Sequence, residues 1–254
     1  MILDSNLETA INDIEIFFCM IGCIVQARMN STRLPKKVMS QINEKNCILD
    51  YVIQQLQFSQ RIEEITIATT NLKEDNIIEK HSNSIKINCF RGSALDVLDR
   101  FYKCAKKFSY STIIRITADN PLIDPSIVDD TIMNFQAGDF DYISNANPRT
   151  FPFGTEVEVF SFNALELAWR NASLPSEREH VTPYMKNNSD KFRITNFEYT
   201  SNISHLRWTV DYMEDLKFVR ILVQKIKTRP ILLKNILDLL KNQPELCDIN
   251  KNCF

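Results

Sequence analysis

What constrains this chain most is a regular exchange, over its first half, between short runs of buried-type β-formers and segments with helical spacing. Residues 21–25 are an unbroken apolar run, the pattern of a strand covered on both faces. After a polar loop, residues 48–58 place Ile48, Leu49, Val52, Ile53 and Leu56 at helical spacing. A strand is expected over 65–68, a helix over 72–81 and a strand over 85–90. A helix capped by Ser93 then runs to residue 108, and a buried strand spans 112–117. Asp124-Pro125-Ser126 opens the next helix, with proline where its missing N–H costs nothing. Strands and helices alternating through short connections imply βαβ units around a mostly parallel sheet.

Beyond residue 140 the pattern loosens. Residues 155–161 and 192–199 alternate like half-exposed strands, with helices expected over 163–172 and 177–186 between them. A closing helical pair is expected over 219–226 and 231–240, split by Pro230. The expected organisation is an extension over residues 1–19 followed by one domain over 20–254. Within it, 20–140 form a nucleotide-binding half and 141–254 an acceptor-binding half.

Composition narrows the chemistry. A net charge of −2 offers no field to gather nucleic acid or an anionic membrane, so neither is expected as a partner. No run reaches the roughly 20 apolar residues of a membrane span. Asp4 and Glu8 precede the most apolar stretch, unlike the basic start of a signal peptide. With only four glycines, any phosphate loop must rely on basic side chains. Seven scattered cysteines without a CxxC pair, and three distant histidines, argue against a structural zinc site and for a reducing cytoplasm.

Three stretches carry candidate chemistry. The loop Gln26-Ala27-Arg28-Met29-Asn30-Ser31-Thr32-Arg33-Leu34-Pro35-Lys36-Lys37 begins where the first strand ends, the usual ligand position in an open α/β sheet. Its arginines and lysines suit a polyphosphate; a solvated basic loop is the other reading. A second stretch, Thr117-Ala118-Asp119-Asn120-Pro121, ends a strand on an acid able to reach Mg²⁺, whereas Asp124 reads as a helix cap. The third, Arg207-Trp208-Thr209-Val210-Asp211, again ends on an acid, which either completes the metal site with Asp119 or caps the helix that Glu214 and Asp215 open. Glu156 and Glu158, after Gly154, lie on one face of the expected strand and suit sugar hydroxyls or a second cation; an exposed strand face explains them equally well. Glu177, Arg178 and His180 start a helix, with His180 either a site residue or a surface histidine.

These motifs, in this order, resemble the sugar cytidylyltransferases of the spore-coat-polysaccharide type, related to the acylneuraminate and 3-deoxy-manno-octulosonate cytidylyltransferases. Ala27 to Lys37 reads AR-x-x-STRLP-x-K, residues 119–125 end in PLIDP, residues 178–184 read REHVTPY and residues 207–216 read RWTVDYMEDL. Two positions differ: Lys36 and Ala118 stand where relatives commonly carry glycine. The resemblance implies a Rossmann-like α/β fold and a Mg²⁺-dependent transfer of CMP from CTP to a sugar acid or related hydroxy compound, for surface polysaccharide synthesis. It implies Arg28, Arg33 and Lys37 on the triphosphate, Asp119 and Asp211 on Mg²⁺, and Gln26, Ala27, Ser31, Arg91, Gly92, Ser93, Thr117 and Ala118 around the nucleotide. Gly154, Glu156, Glu158, Glu177, Arg178, His180 and Arg207 would face the acceptor, in a homodimer. The rivals are a GTP- or UTP-dependent enzyme, a non-sugar acceptor, a non-catalytic nucleotide sensor, and a glycosyltransferase using Asp139-Phe140-Asp141.

Overall fold

The computed structural model describes residues 20–253, so the expected 1–19 extension lies outside the described residues. Strands β1 (Met20–Gln26), β2 (Glu64–Thr70), β3 (Asn88–Gly92) and β4 (Tyr110–Thr117) run parallel. Helices α1 (Ile48–Leu56), α2 (Asn76–Ser84), α3 (Val97–Lys107) and α4 (Pro125–Ala137) alternate with them. Three short strands follow, β5 (Tyr142–Ser144), β6 (Glu158–Ser161) and β7 (Ile194–Asn196). Among the described residues all seven share one sheet in the order β3-β2-β1-β4-β6-β5-β7, and β6 alone runs antiparallel to its neighbours.

Period-two side-chain alternation divides the core into two layers. Cys23 and Val25 of β1, with Ile114 and Ile116 of β4, pack under α1, α4, α8 (Met213–Lys225) and α9 (Leu233–Asn242). Ile24 and Ile113 face the opposite layer, with α3, α5 (Phe162–Asn171) and α7 (Pro183–Lys186). Helices on both faces of a mostly parallel sheet are the Rossmann-like architecture expected from the sequence.

Departures from the expected elements have local causes. The helix expected over 72–81 begins as a 3-10 turn, and α2 proper starts at Asn76. Buried Asp75 there accepts hydrogen bonds from the Met29 amide and the Thr70 hydroxyl, serving the loop after β1 rather than its own helix. β3 starts three residues late because Lys86 adopts φ 59°, in the left-handed region. Asp96, not Ser93, caps α3, accepting from the Asp99 amide. Ser93 instead accepts from the Asp96 amide, one turn earlier. The single helix expected over 177–186 is two, α6 (Pro175–His180) and α7, broken where Val181 takes φ 71°. Glu156 lies before β6 rather than on it, and Glu158, on its first residue, is buried, so the two acids do not form an exposed strand face.

Candidate active site

The strand order reverses at β1, which lies between β2 and β4, and the carboxyl ends of β1 and β4 open onto a cavity of 440 Å³. Ligands collect at such switch points because diverging loops leave a crevice there. The β1–β4 register sets Gln26 opposite Thr117, and the Ala118 amide donates to the Gln26 carbonyl. The basic loop and the Asp119 turn therefore leave the sheet side by side. Gln26, Arg28, Ser31, Arg33, Lys37, Thr117, Ala118 and Asp119 all line the cavity, as do Asn30 and Thr32.

The loop is folded back on itself. The Met29 amide donates to Asp75 Oδ1 at 2.7 Å and the Lys36 amide to the Met29 carbonyl at 2.9 Å. Lys36 adopts φ 63° and ψ 15° and so carries left-handed strain. That turn delivers Lys37 inward, where its side chain is only 11% exposed. Its Nζ donates to Asp119 Oδ2 (2.7 Å), Asp211 Oδ1 (2.8 Å) and the Val210 carbonyl (2.9 Å). Two carboxylates remote in sequence thus meet around one cation.

The segment carrying Asp211 is held by the turn it meets: the Val210 amide donates to the Asp119 carbonyl at 2.8 Å, and the Trp208 amide to the Phe153 carbonyl at 2.8 Å. Gly154 makes this approach feasible. It sits at φ +105°, and a Cβ there would lie 2.6 Å from the Thr209 amide nitrogen. Behind Asp211, buried Arg207 donates to Asp211 Oδ2 and to buried Asp215, which also accepts from the Asp211 and Tyr212 amides. Arg33, half-exposed, closes the front of Asp211 at 2.7 Å. Burial by itself would raise the Asp211 carboxyl, but the Lys37 hydrogen bond and charge, with Arg207 and Arg33, hold it below the usual carboxylate range.

The other expected site residues divide. Glu156 accepts from the Gly154 amide and from Asn120, the neighbour of Asp119, and pairs with Arg149. Glu158 is buried against Arg115, Lys186, Tyr142 and Thr182. Its burial is outweighed by Arg115 and Lys186, which bring its pKa down to about 2. Glu177 caps α6 through the Ser173 and Leu174 amides, and Arg178 ties α6 to the α3 cap, Asp96. His180 is exposed at the end of α6. Arg91 is engaged by the Thr70 and Leu72 carbonyls, Asn76 and Glu79, and with Gly92 and Ser93 it lines a second cavity of 540 Å³. Asp139 and Asp141 are both paired with Arg193.

Sequence reasoning missed Asn120 and Arg149, whose roles come from tertiary contacts that no spacing announces. It placed Asp215 at the opening of α8, as found, but did not foresee its bond to Arg207. It also missed Arg100 of α3, wholly buried, which donates to the Ser93 carbonyl while its Nε and Nη2 have no partner among the described residues. Burial, and then the charge of Arg28, lower its pKa to about 10.

Comparison with known proteins places the chain in one family. The cytidylyltransferase family model matches residues 22–251. An uncharacterised protein of Methanocaldococcus jannaschii is 38% identical over 231 residues, spanning 90% of this chain and 93% of that protein. A spore coat polysaccharide biosynthesis protein of Bacillus subtilis is 34% identical, spanning 87% of this chain and 94% of its own length. The solved structure of a cytidylyltransferase from Leptospira borgpetersenii superposes with a TM-score of 0.86 at 30% identity, covering 89% of this chain and 96% of that one.

Proposed function

The chain belongs to the cytidylyltransferase family, and on that premise we propose that it transfers CMP from CTP to the hydroxyl of an acidic sugar, releasing pyrophosphate, at the cavity between β1 and β4. The observation that carries this reading is the meeting of Asp119 and Asp211 on Lys37 beside the basic loop. In this reading Arg28, Arg33 and Lys37 bind the triphosphate, and residues 20–140 supply most of the nucleotide site. Glu156, anchored beside Asp119 through Asn120, stands on the acceptor side.

The donor set suits Mg²⁺. Asp119 Oδ2, Asp211 Oδ1 and the Val210 carbonyl already surround a positive charge with hard oxygens only. Asp119 and Asp211 would hold the ion, which when bound offsets negative charge on the phosphate oxygens. The chain's own contribution is positional. The folded-back loop presents its cations without further ordering, and Arg207 with Asp215 fixes the Asp211 carboxylate. The acceptor hydroxyl oxygen attacks the α-phosphorus and its proton passes to solvent, the bond to the α,β-bridging oxygen breaks, and the pyrophosphate leaves against the Arg/Lys cluster. No covalent enzyme intermediate is required, since positioning and electrostatics carry such transfers.

The test is pyrophosphate release with each of the four NTPs over a panel of acidic sugars. Release with CTP, falling by roughly 10²–10³ in Asp119→Asn, supports the reading. Absence of release with any NTP across the panel would contradict it, and release with GTP or UTP alone would reassign the nucleotide. Light scattering in solution checks the homodimer that belongs to the same proposal.

A further inference from the structure

Away from this cavity, one other group of side chains converges. Among the described residues a single set of three metal-ligating atoms lies mutually within 4.8 Å: Cys47 Sγ, Asp50 Oδ1 or Oδ2, and an imidazole nitrogen of His81. Cys47 is the N-cap of α1, Asp50 lies in its first turn, and His81 approaches from α2. His81 Nε2 lies 2.6 Å from Asp50 Oδ1 and 4.0 Å from Cys47 Sγ. Both contacts fall on the same ring nitrogen. A thiol–imidazole–carboxylate relay needs opposite nitrogens, one toward sulfur and one toward the acid, so this cluster is not a nucleophile with its base. Three unlike donors within reach of one spot match instead the composition of a cation's inner sphere.

We propose that Cys47 Sγ, His81 Nε2 and an Asp50 carboxylate oxygen form a binding site for one Zn²⁺ ion, with a water molecule as fourth ligand. Thiolate with imidazole and carboxylate selects a borderline-soft transition metal over Mg²⁺ or Ca²⁺. Tetrahedral bonds of about 2.0–2.3 Å place neighbouring ligand atoms about 3.3–3.6 Å apart. The 4.0 Å sulfur–nitrogen gap therefore closes slightly, while the 2.6 Å nitrogen–oxygen contact opens. On binding, the thiol gives up its proton to solvent, and the imidazole keeps one by carrying it on Nδ1. The outer shell is in place: the Cys47 amide donates to Asp50 Oδ2 at 2.8 Å and fixes the carboxylate plane. His81 is about one-fifth exposed, which leaves the ion a path and the water a position.

The sequence argument against zinc rested on cysteine spacing. It could not register a site whose third ligand arrives from a separate helix. Such an ion would clamp α1 to α2. It would also fix the start of α1, where the Ile48 amide donates to the Ser40 carbonyl just past the turn that delivers Lys37.

The test uses the full-length protein freed of metal by chelator and titrated with Co²⁺ as a spectroscopic probe. One equivalent should produce a thiolate-to-cobalt charge-transfer band with tetrahedral d–d absorption. Zn²⁺ should abolish both, and excess Mg²⁺ should leave them unchanged. Cys47→Ser should remove the charge-transfer band, and His81→Ala should weaken binding by more than about 10-fold. Asp119→Asn and Asp211→Asn should keep the spectrum. Should Cys47→Ser fail to fold, His81→Ala, at a partly exposed position, carries the test. Absence of the band in the wild type, its persistence in Cys47→Ser, or stoichiometric tight Co²⁺ binding by His81→Ala would each overturn the proposal.

Discussion

Removing the Lys37 ammonium leaves Asp119 and Asp211 facing one another with no cation between them. Breaking a buried ion pair by deleting one partner costs about 3–5 kcal/mol, so Lys37→Met should lose stability on that scale in urea unfolding. Mg²⁺ should return part of the loss to this variant and do less for the wild type, since the vacated oxygens are the ones proposed to hold it. Lys36 tests the opposite sense. Its left-handed backbone costs roughly 1–2 kcal/mol for a residue with a side chain, while glycine adds roughly 0.4–1 kcal/mol of unfolded-state entropy. Lys36→Gly should therefore stabilise the protein, by up to about 1.5 kcal/mol, with the urea midpoint as readout. At this scale the sequence was most informative: of the twelve residues from Gln26 to Asp119 expected at the nucleotide site, eight line the cavity, whereas Ala27 is buried and Arg91, Gly92 and Ser93 line a separate one. The partners of Asp211 were not legible: Arg207 was expected to face the acceptor and Asp215 only to open a helix, whereas the two are buried together behind Asp211.

Among the elements, the approach of the 207–211 segment to the Asp119 turn depends on a single missing side chain. In Gly154→Ala the new Cβ would meet the Thr209 amide nitrogen at 2.6 Å while the backbone keeps φ +105°. A loss of at least about 1–3 kcal/mol is expected, with CTP binding weakened as Val210 is pushed off the Asp119 carbonyl. Thermal unfolding and CTP titration of the one variant check both parts. Runs of β-formers made β1, β2 and β4 readable, since burial on both faces keeps most of their central positions apolar or Thr. The strands β6 and β7 fall inside the alternating stretches expected over 155–161 and 192–199 but are shorter than those stretches, and three-residue β5 was not anticipated because it contains too few side chains for a period to show. The break at Val181 was equally invisible, because a valine at φ 71° follows from tertiary contacts and not from propensity.

For the molecule as a whole, the buried charge on Glu158 sets an acid limit. Its carboxyl is brought down to about 2 by Arg115 and Lys186 against the cost of burial, whereas an unfolded glutamate titrates near about 4.3. A depressed folded value stabilises above the unfolded one, and that contribution disappears as pH falls from about 5 toward 2. Wild-type stability should therefore drop steeply across that interval. Glu158→Gln should be less stable at pH 7 but flatter in acid, as urea unfolding at pH 3 and pH 7 would show. The central claim is that Asp119 and Asp211 form one cation-binding pair serving the nucleotide, and calorimetric titration of CTP with and without Mg²⁺ tests it most directly. The expected result is that Mg²⁺ tightens CTP binding in the wild type, that Asp119→Asn and Asp211→Asn each abolish the gain, and that the double variant loses nothing further. A wild-type gain retained by Asp211→Asn would contradict the claim, since Asp119 would then hold the ion without its partner.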